Sequence, residues 1–578
     1  MTTTTELPRR APVRVFLLWT LLVLLVGVIA AGLWIGVRGA SAADELSQAR
    51  SLASGLSAAM GAGDVEDAAD AIEEASGHTA SAVSLTSDPV WRAAEWVPLV
   101  GANLAAVRQS AQAVDDLVTE VASPLLPLAG ELDAGSFAGA SVPIQPLVDA
   151  APTAAEARKA AEGISERVEA IQIGQALPFV RDAVAELTDL VAEVTHAVQA
   201  IDRATTLLPA MLGADAQRNY LVLFQNNAEL RASGGLPGAT AVLAASDGEI
   251  TLAAQRSSMD YPRLAEPALP LTAAETGLYG TILGRYVQNV NLTPDFSRTG
   301  ALAQAMAEPV VGMPIDGVIA IDPYVLSYVL EATGPVELAD GSVLSSDNAV
   351  RVLLSEVYGS IEKPADQDAF FASVTREVFA AVTSDDVDPA RLLAAIVQGS
   401  DEGRIRLWSA DAAEQEALAE TTLAGVPSTD SDPVLGVYLN DATGGKMGYY
   451  LDGLVTSTCT GTERRVTVEL TSEAPADAAT SLPGFVTGNG VYGVPAGLIR
   501  TQVLIVLPPG ARAVTQADSE RTVVRDDAGR VVVAQLVEVE PGGSVSVVVD
   551  YADASTARID TTPGLAVNSP ERGQAECS

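Results

Sequence analysis

Arg231, Arg256 and Asp260 are the residues from which an anion-handling site could be assembled. A guanidinium presents a planar fork of donors to phosphate oxygens, and fixed cations stabilise the charge that develops on a diphosphate leaving group. Arg231 and Arg256 are read as the main clamps. Asp260 is read beside them as a base, a metal ligand or a helix cap. Asn226, Asn227, Arg263, Arg285, Asp295 and Arg298 supply further amides, cations and one acid for ligand binding. For Arg263, Arg285 and Arg298 the alternative is ordinary ion pairing with nearby acids, since surface pairs are common and weak. Other chemistry is poorly provided for. His78 and His196 lie in separate helical stretches, and Cys459 and Cys577 are far apart. Neither a Cys/His zinc cluster nor a Ser-His or Cys-His nucleophile pair can form near these residues.

The stretch that must position them is 219–254, NYLVLFQNNAELRASGGLPGATAVLAASDGEITLA. Residues 220–224 are short, apolar and bounded by polar residues, the pattern of a strand buried on both faces. A loop of amides, Glu229, Arg231 and the Gly234-Gly235 pair is predicted after it. Two apolar runs, 239–245 and 250–254, flank Asp247-Gly248, a hairpin signal. Loops at strand ends are where binding sites tend to lie. Further on, 273–287 looks helical, Thr293-Pro294 opens a helix, 315–321 reads as a strand, and 324–332 as a helix stopped by Gly334-Pro335. Strands alternating with helices predict an α/β layered domain over 210–400.

Composition sets the outer bounds. The chain has 578 residues and a net charge of −40, which argues against nucleic acid as a partner. Only Lys159, Lys363 and Lys446 are lysines, so nearly all positive charge is arginine. Within 210–300, six arginines face eight acids, a milder balance than the chain as a whole and compatible with an anionic ligand.

Residues 15–37 run without a charge, enough to cross a bilayer core of about 30 Å. Arg9, Arg10 and Arg14 before the span, against Arg38 after it, place a tail of residues 1–14 in the cytoplasm and the bulk of the chain outside it. Ala40-Ser41-Ala42 offers a signal-peptide reading, but the apolar core is too long for one. Over 38–209 the chain is Ala-rich, with apolar stripes at 97, 100, 104, 107, 114, 117, 118 and 121 and at 180, 184, 187, 191, 194, 198 and 201. Each stripe must pack against another helix, so a helical hairpin or bundle is expected, broken around Pro124, Pro127 and 130–146. Residues 401–433 read as a helix and linker, 434–560 as a β-sandwich, and 561–578 as a tail. Cys459 and Cys577 are expected to form a disulfide outside the cytoplasm, where such a bond persists.

Several stretches carry a resemblance. RNYLVLFQNNAELRASGG, LTPDFSRTG and IDGVIAIDPYVLSYVLEATGPVEL, with DPVWRAAEWVPLVGANLAAVR at 88–108 and GVYLNDATGGKMGYYL at 436–451, resemble a family of uncharacterised, membrane-anchored envelope proteins of high-GC Gram-positive bacteria. More distantly, 210–400 is similar to the LytR-CpsA-Psr domain, whose enzymes transfer glycopolymers from a polyprenyl-pyrophosphate carrier to peptidoglycan. The resemblance implies roles for Arg231, and for Arg256 with Asp260, and it implies Mg²⁺ as cofactor. Asn226 and Asn227 stand where an acid is expected, and Gly234 stands near another such position. Amides are poorer ligands than carboxylates for so hard a cation.

The fold expected is therefore a multidomain α+β chain: transmembrane helix, extracytoplasmic helical bundle, LytR-CpsA-Psr-like α/β/α layered domain and C-terminal β-sandwich. Two functions follow. One is a cell-membrane protein that binds polyprenyl-phosphate lipid and acts as a glycopolymer transferase to cell-wall glycan. The other is a non-catalytic structural or sensory envelope protein.

Overall fold

The computed structural model describes residues 11–62, 65–98, 100–131, 141–174, 176–384, 386–425, 433–460, 463–514, 521–552 and 557–568. The chain divides into two compact units, one of residues 1–136 and 143–209, the other of 137–142 and 210–578.

The first unit is helical: α1 (Ala11–Ala62), α2 (Val65–Thr86), α3 (Pro89–Ala94), α4 (Gly101–Asp116), α5 (Ser123–Glu131), α6 (Ile144–Glu169) and α7 (Pro178–Met211). Within α1, Val26–Leu52 is long and apolar enough to cross a membrane. Large apolar side chains between 26 and 37 stand bare, Leu33 and Val37 among them. From Arg38 onward α1 packs: Ala42 is buried with Ala82 of α2 and Ala111 of α4. A second core joins Leu117 and Val121 to Ile164 and Val168 of α6 and to Val180, Val184 and Val191 of α7. Both predicted stripes thus end in one core, with two differences. The chain stays helical past Pro124, through a π-turn at Leu117–Ala122 into α5. Val97 and Val100 lie in the turn before α4 and are exposed, because the helix starts only at Gly101.

The second unit opens with β1 (Arg218–Arg231), β2 (Gly234–Ser246) and β3 (Glu249–Ser257), followed by α8 (Ala273–Tyr279), α9 (Phe296–Val311), β4 (Gly317–Ile321) and α10 (Pro323–Thr333). After the short hairpin of β5 (Val336–Glu337) and β6 (Val343–Leu344), β7 (Arg406–Ser409) completes a sheet in the order β3-β2-β1-β4-β7. β1 and β4 are parallel; the other neighbours are antiparallel. Leu221, Leu223, Val318 and Ala320 are buried with Phe296 and Leu302 of α9, as the two-sided apolar pattern of the strands predicts. Asp247 and Gly248 both take positive φ (49° and 81°), the mirror-image turn that matches strand twist.

One expectation fails here. Residues 225–231 are not a loop but the continuation of β1, interrupted by a bulge. Asn226 pairs with Leu236 and Leu230 with Gly235, so residues 227–229 have no partners on β2. Polar residues persist in this strand because the bulge turns their side chains off the ladder into internal ion pairs.

Ten further strands form two five-stranded sheets. The strands are β8 (Val434–Asp441), β9 (Leu451–Thr460), β10 (Glu463–Ser472), β11 (Ile499–Val506), β12 (Arg512–Ala513), β13 (Arg521–Arg525), β14 (Val531–Val539), β15 (Ser544–Ala552), β16 (Arg558–Thr561) and β17 (Ala566–Asn568). The sheet orders are β12-β15-β10-β9-β17 and β13-β14-β11-β8-β16. Val437, Val466, Val468, Val503, Val533 and Val549 from both sheets enter one core. Cys459 lies in β9 opposite Arg464. Cys577, its expected partner, lies outside the described residues.

Candidate functional site

The polar centre of the second unit lies where β1 bulges. Gly235 is required there: a Cβ would stand 2.2 Å from the carbonyl carbon of Asn226. From the other side, the turn Met447–Tyr450 lies against the bulge, with Gly448 so close that a Cβ would meet the Ala228 oxygen at 2.8 Å. The GGKMGYY run thereby delivers Lys446 to Glu229. Lys446 Nζ stands 3.3 Å from Glu229 Oε2, and Arg231 Nη2 donates to Glu229 Oε1 at 3.1 Å. Lys446 also sits over the rings of Tyr358 (5.2 Å) and Phe485 (5.5 Å), a favourable place for a desolvated cation.

The electrostatics of this centre follow from burial against pairing. Burial pushes the Glu229 carboxyl up, but the Lys446 ammonium and then the Arg231 guanidinium outweigh it and hold the group below the ordinary value. Burial lowers Lys446, and the Glu229 charge more than restores it. Asp441, at the end of β8, is pushed up to about 6 by burial and by the charge of Glu229.

A second ion pair closes the carboxyl end of the parallel strands. Asp322 caps α10, accepting from the Tyr324 and Val325 amides at 3.0 and 3.1 Å, and Arg404 Nη1 donates to its other oxygen at 2.7 Å. Arg404 stacks on Tyr324 at 4.0 Å and donates to Glu402 at 2.7 Å. Burial pushes the Asp322 carboxyl up despite Arg404. Gln225 Nε2, Arg231 Nε and Asn291 Oδ1 are buried without a hydrogen-bond partner among the described residues.

The two expected clamps are not brought together. Arg231 pairs across the ladder with Gly234, and Arg256 with Thr240. Those partners are six residues apart on one strand, about 20 Å of extended chain. Arg231 is 5% exposed and bonded to Glu229, Asn289 and the Leu230 carbonyl. A guanidinium neutralised inside the protein cannot clamp a ligand in solvent. Arg256 instead bonds the Gln255 carbonyl at 2.8 Å, beside Tyr261.

Most of the other expected ligands have structural work. Asp260 accepts from the Ser257 amide in a capping box, and Asp295 caps α9 through the Arg298 amide, its carboxyl raised by burial. Arg298 is bound to Glu275 at 2.6 Å. Asn226 accepts from the Ala228 amide and donates to the Tyr358 hydroxyl. Asn227 is buried near Asp322. Among the described residues no group of three or more His, Cys, Asp or Glu is placed to hold a metal ion.

Arg263 and Arg285 differ from these. Arg263 lies over the Tyr286 ring at 5.5 Å, and Arg285 Nε donates to the Leu264 carbonyl at 2.8 Å. Arg256, Arg263 and Arg285 are only partly buried or exposed, and none makes a salt bridge with a described residue. The Leu264 amide bonds the Arg285 carbonyl, and Gln288 donates to the Ser258 carbonyl, so the segments carrying Arg263 and Arg285 pack together and against the turn that follows β3.

Lys446, Glu229, Asp441 and Arg404 were not among the expected site residues. One signal could have found Lys446: a lysine inside a glycine-rich run, in a chain with only three lysines.

The molecule so described is a mixed α+β multidomain protein with one N-terminal helix that meets the length and apolarity of a single-pass anchor, a test that a signal sequence also passes. Residues 215–358 match the model of a family described as Protein of unknown function (DUF4012), a span that takes in β1, the bulge and Asp322 but not Lys446. No curated protein matches the chain. The crystal structure of protein gbs0355 from Streptococcus agalactiae is similar at 11% identity over 37% of this chain and 76% of that one, with a TM-score of 0.24, too low a likeness to carry an argument.

Proposed function

We propose that this is a membrane-anchored, extracytoplasmic envelope protein that binds a phosphate-bearing ligand, of the polyprenyl-diphosphate or wall-glycopolymer kind, without transferring it. The observation that carries the reading is the surface of Arg256, Arg263 and Arg285. These are three guanidinium groups without an acidic partner among the described residues, in a chain of net charge −40. Arginines left unpaired in so acidic a protein favour an anion from outside. The LytR-CpsA-Psr-like layering of 210–400 and the β-sandwich of 434–560 belong to the same reading, as does the outward orientation set by Arg9, Arg10 and Arg14. Transfer is left out because the clamp it needs would use Arg231, which the Glu229 and Lys446 pairs hold inside.

The test is binding of geranylgeranyl diphosphate and, separately, of inorganic pyrophosphate to the full chain in detergent. Binding by the wild type and a loss of roughly tenfold or more in R256A/R263A/R285A is expected, since each charge-assisted contact contributes about 1.5–3 kcal/mol. Equal binding by wild type and triple variant, or none by either, overturns the site. Release of pyrophosphate from the lipid overturns the non-catalytic half of the reading. A preference for the lipid over the inorganic ion separates a carrier lipid from a free phosphate.

A further inference from the structure

The stretch DPVWRAAEWVPLVGANLAAVR at 88–108 has no part in the phosphate site, and it leaves large apolar side chains bare. Trp96 is 89% exposed, and Val97 and Val100 are each about half exposed. Leu177 and Phe179, at the start of α7, are 51% and 67% exposed. These two groups are neighbours: the Leu177 amide donates to Asn103 Oδ1 at 2.7 Å. The turn that carries Trp96 is held firmly. Asp88 caps α3, Trp91 is buried with its indole N–H on the Leu104 carbonyl, and Glu95 pairs with Arg108 at 2.6 Å. A Cβ on Gly101 would strike the Glu95 carbonyl oxygen at 1.9 Å, so the turn can close in this way only over glycine. A rigid turn that displays tryptophan and valine to the outside is built for an apolar surface.

The helix register says which surface. His78 of α2 bonds Glu45 of α1, and Arg38 bonds the carbonyls of Ser84 and Leu85, so α1 and α2 run antiparallel. Thr79 of α2 bonds Asp115 of α4, while Ala82 packs with Ala111, so α2 and α4 are antiparallel as well. α4 therefore runs parallel to α1, with Ala111 level with Ala42. Val100 lies eleven residues before Ala111, about 16 Å along the axis at 1.5 Å per residue. That places Val100 beside the bare apolar stretch of α1 and below Arg38, where α1 leaves the helical core. Trp34 bonds Asp88, and the Trp91 ring lies against Gly39, fixing the same level independently.

We infer that Trp96, Val97 and Val100, with the start of α7, form a wedge that enters the outer leaflet around the anchor, with Trp96 and Phe179 among the acyl chains and headgroups. Tryptophan favours this boundary because its ring is apolar and its N–H is wet. Arg92 and Arg181 on the same rim are exposed and face the headgroup region, with no carboxylate partner among the described residues. The wedge fixes the helical unit against the membrane at more than one point, which a lone α1 would leave free to swing. The inference rests on α1 being a membrane anchor.

The test is nitroxide labelling of the full chain in phosphatidylcholine–phosphatidylglycerol vesicles, with native cysteines replaced (C459S/C577S) and single labels at W96C, F179C, L33C and E193C. Collision with oxygen relative to a water-soluble nickel chelate reports depth. L33C inside the anchor and E193C, about 21 Å further along α7 than Phe179, bracket the scale. A ratio several-fold higher at 96 and 179 than at 193 is expected. Immersion of 33 with 96 and 179 as water-exposed as 193 overturns the wedge while the anchor stands. Exclusion of both reagents from 96 and 179 overturns it in favour of a protein contact. Exposure of 33 as well overturns the anchor.

Discussion

Glu229→Gln is expected to cost the second unit about 3 kcal/mol of stability, near the lower end of what removing one partner of a buried ion pair costs. The reason is arithmetic of charge. Lys446 and Arg231 are both buried, and Glu229 is the carboxylate that both touch, at 3.3 and 3.1 Å. An amide keeps the shape and one acceptor but leaves two cations facing each other with little water between them. Asp441 limits the damage. With Glu229 neutral, the charge that helps raise the Asp441 carboxyl is gone, and Asp441 ionises more readily beside Arg231. Calorimetry of the full chain in detergent should show the transition of the second unit moving down while that of the helical unit stays. Adding Lys446→Met should return part of the loss, because the pair is costly to break but not to replace with apolar groups. A Glu229→Gln chain within about 0.5 kcal/mol of the wild type, the range of an ordinary surface change, would mean that the centre is wetter than its burial implies.

The difference between what could and could not be read in the sequence falls along the range of the interactions. Local signals held: the Asp247-Gly248 turn, the two-sided apolar runs of β1 and β4, the cap at Asp322 with Pro323 after it, and the stripes of α4 and α7. Each depends on residues within a few positions of one another. The polar end of β1 reads locally as a loop because what makes it a strand lies far along the chain. Glu229 is strand rather than loop because Lys446, 217 positions later, neutralises it. The same distance hid the fate of Arg231, whose residue type suits phosphate equally well until its internal partner is known. Asp322 was legible as a cap, but not as the partner of Arg404, two residues before the edge strand β7. Arg263 and Arg285 stand out by what they lack among the described residues, an acidic partner, and no local pattern reports that.

Raising the pH from about 4 to above 6 should destabilise the second unit through Asp441, against the usual behaviour of a carboxylate. The folded-state value is about 6 where an ordinary aspartate has 3.8, so in this window the folded protein holds a proton that the unfolded chain has lost. Stability therefore falls as pH rises through the window, and stays lower above it. A shift of that size corresponds to about 3 kcal/mol; allowing for the partial exposure of Asp441, about 2 kcal/mol is expected. Glu229 works in the opposite sense: its carboxyl is held below 4.5, so its contribution is lost only as pH falls below that value. Asp322 and Asp295, raised by burial, add to the Asp441 trend. Comparison with Asp441→Asn isolates the one group. The amide keeps an oxygen to accept from the Gly444 N–H, now 2.8 Å from Oδ2, and never ionises. Asp441→Asn should match the wild type near pH 4 and exceed it by about 2 kcal/mol at pH 7.5, in denaturation followed at both values. A difference that does not change between those two pH values would place Asp441 in contact with water and remove the reason for its raised proton affinity.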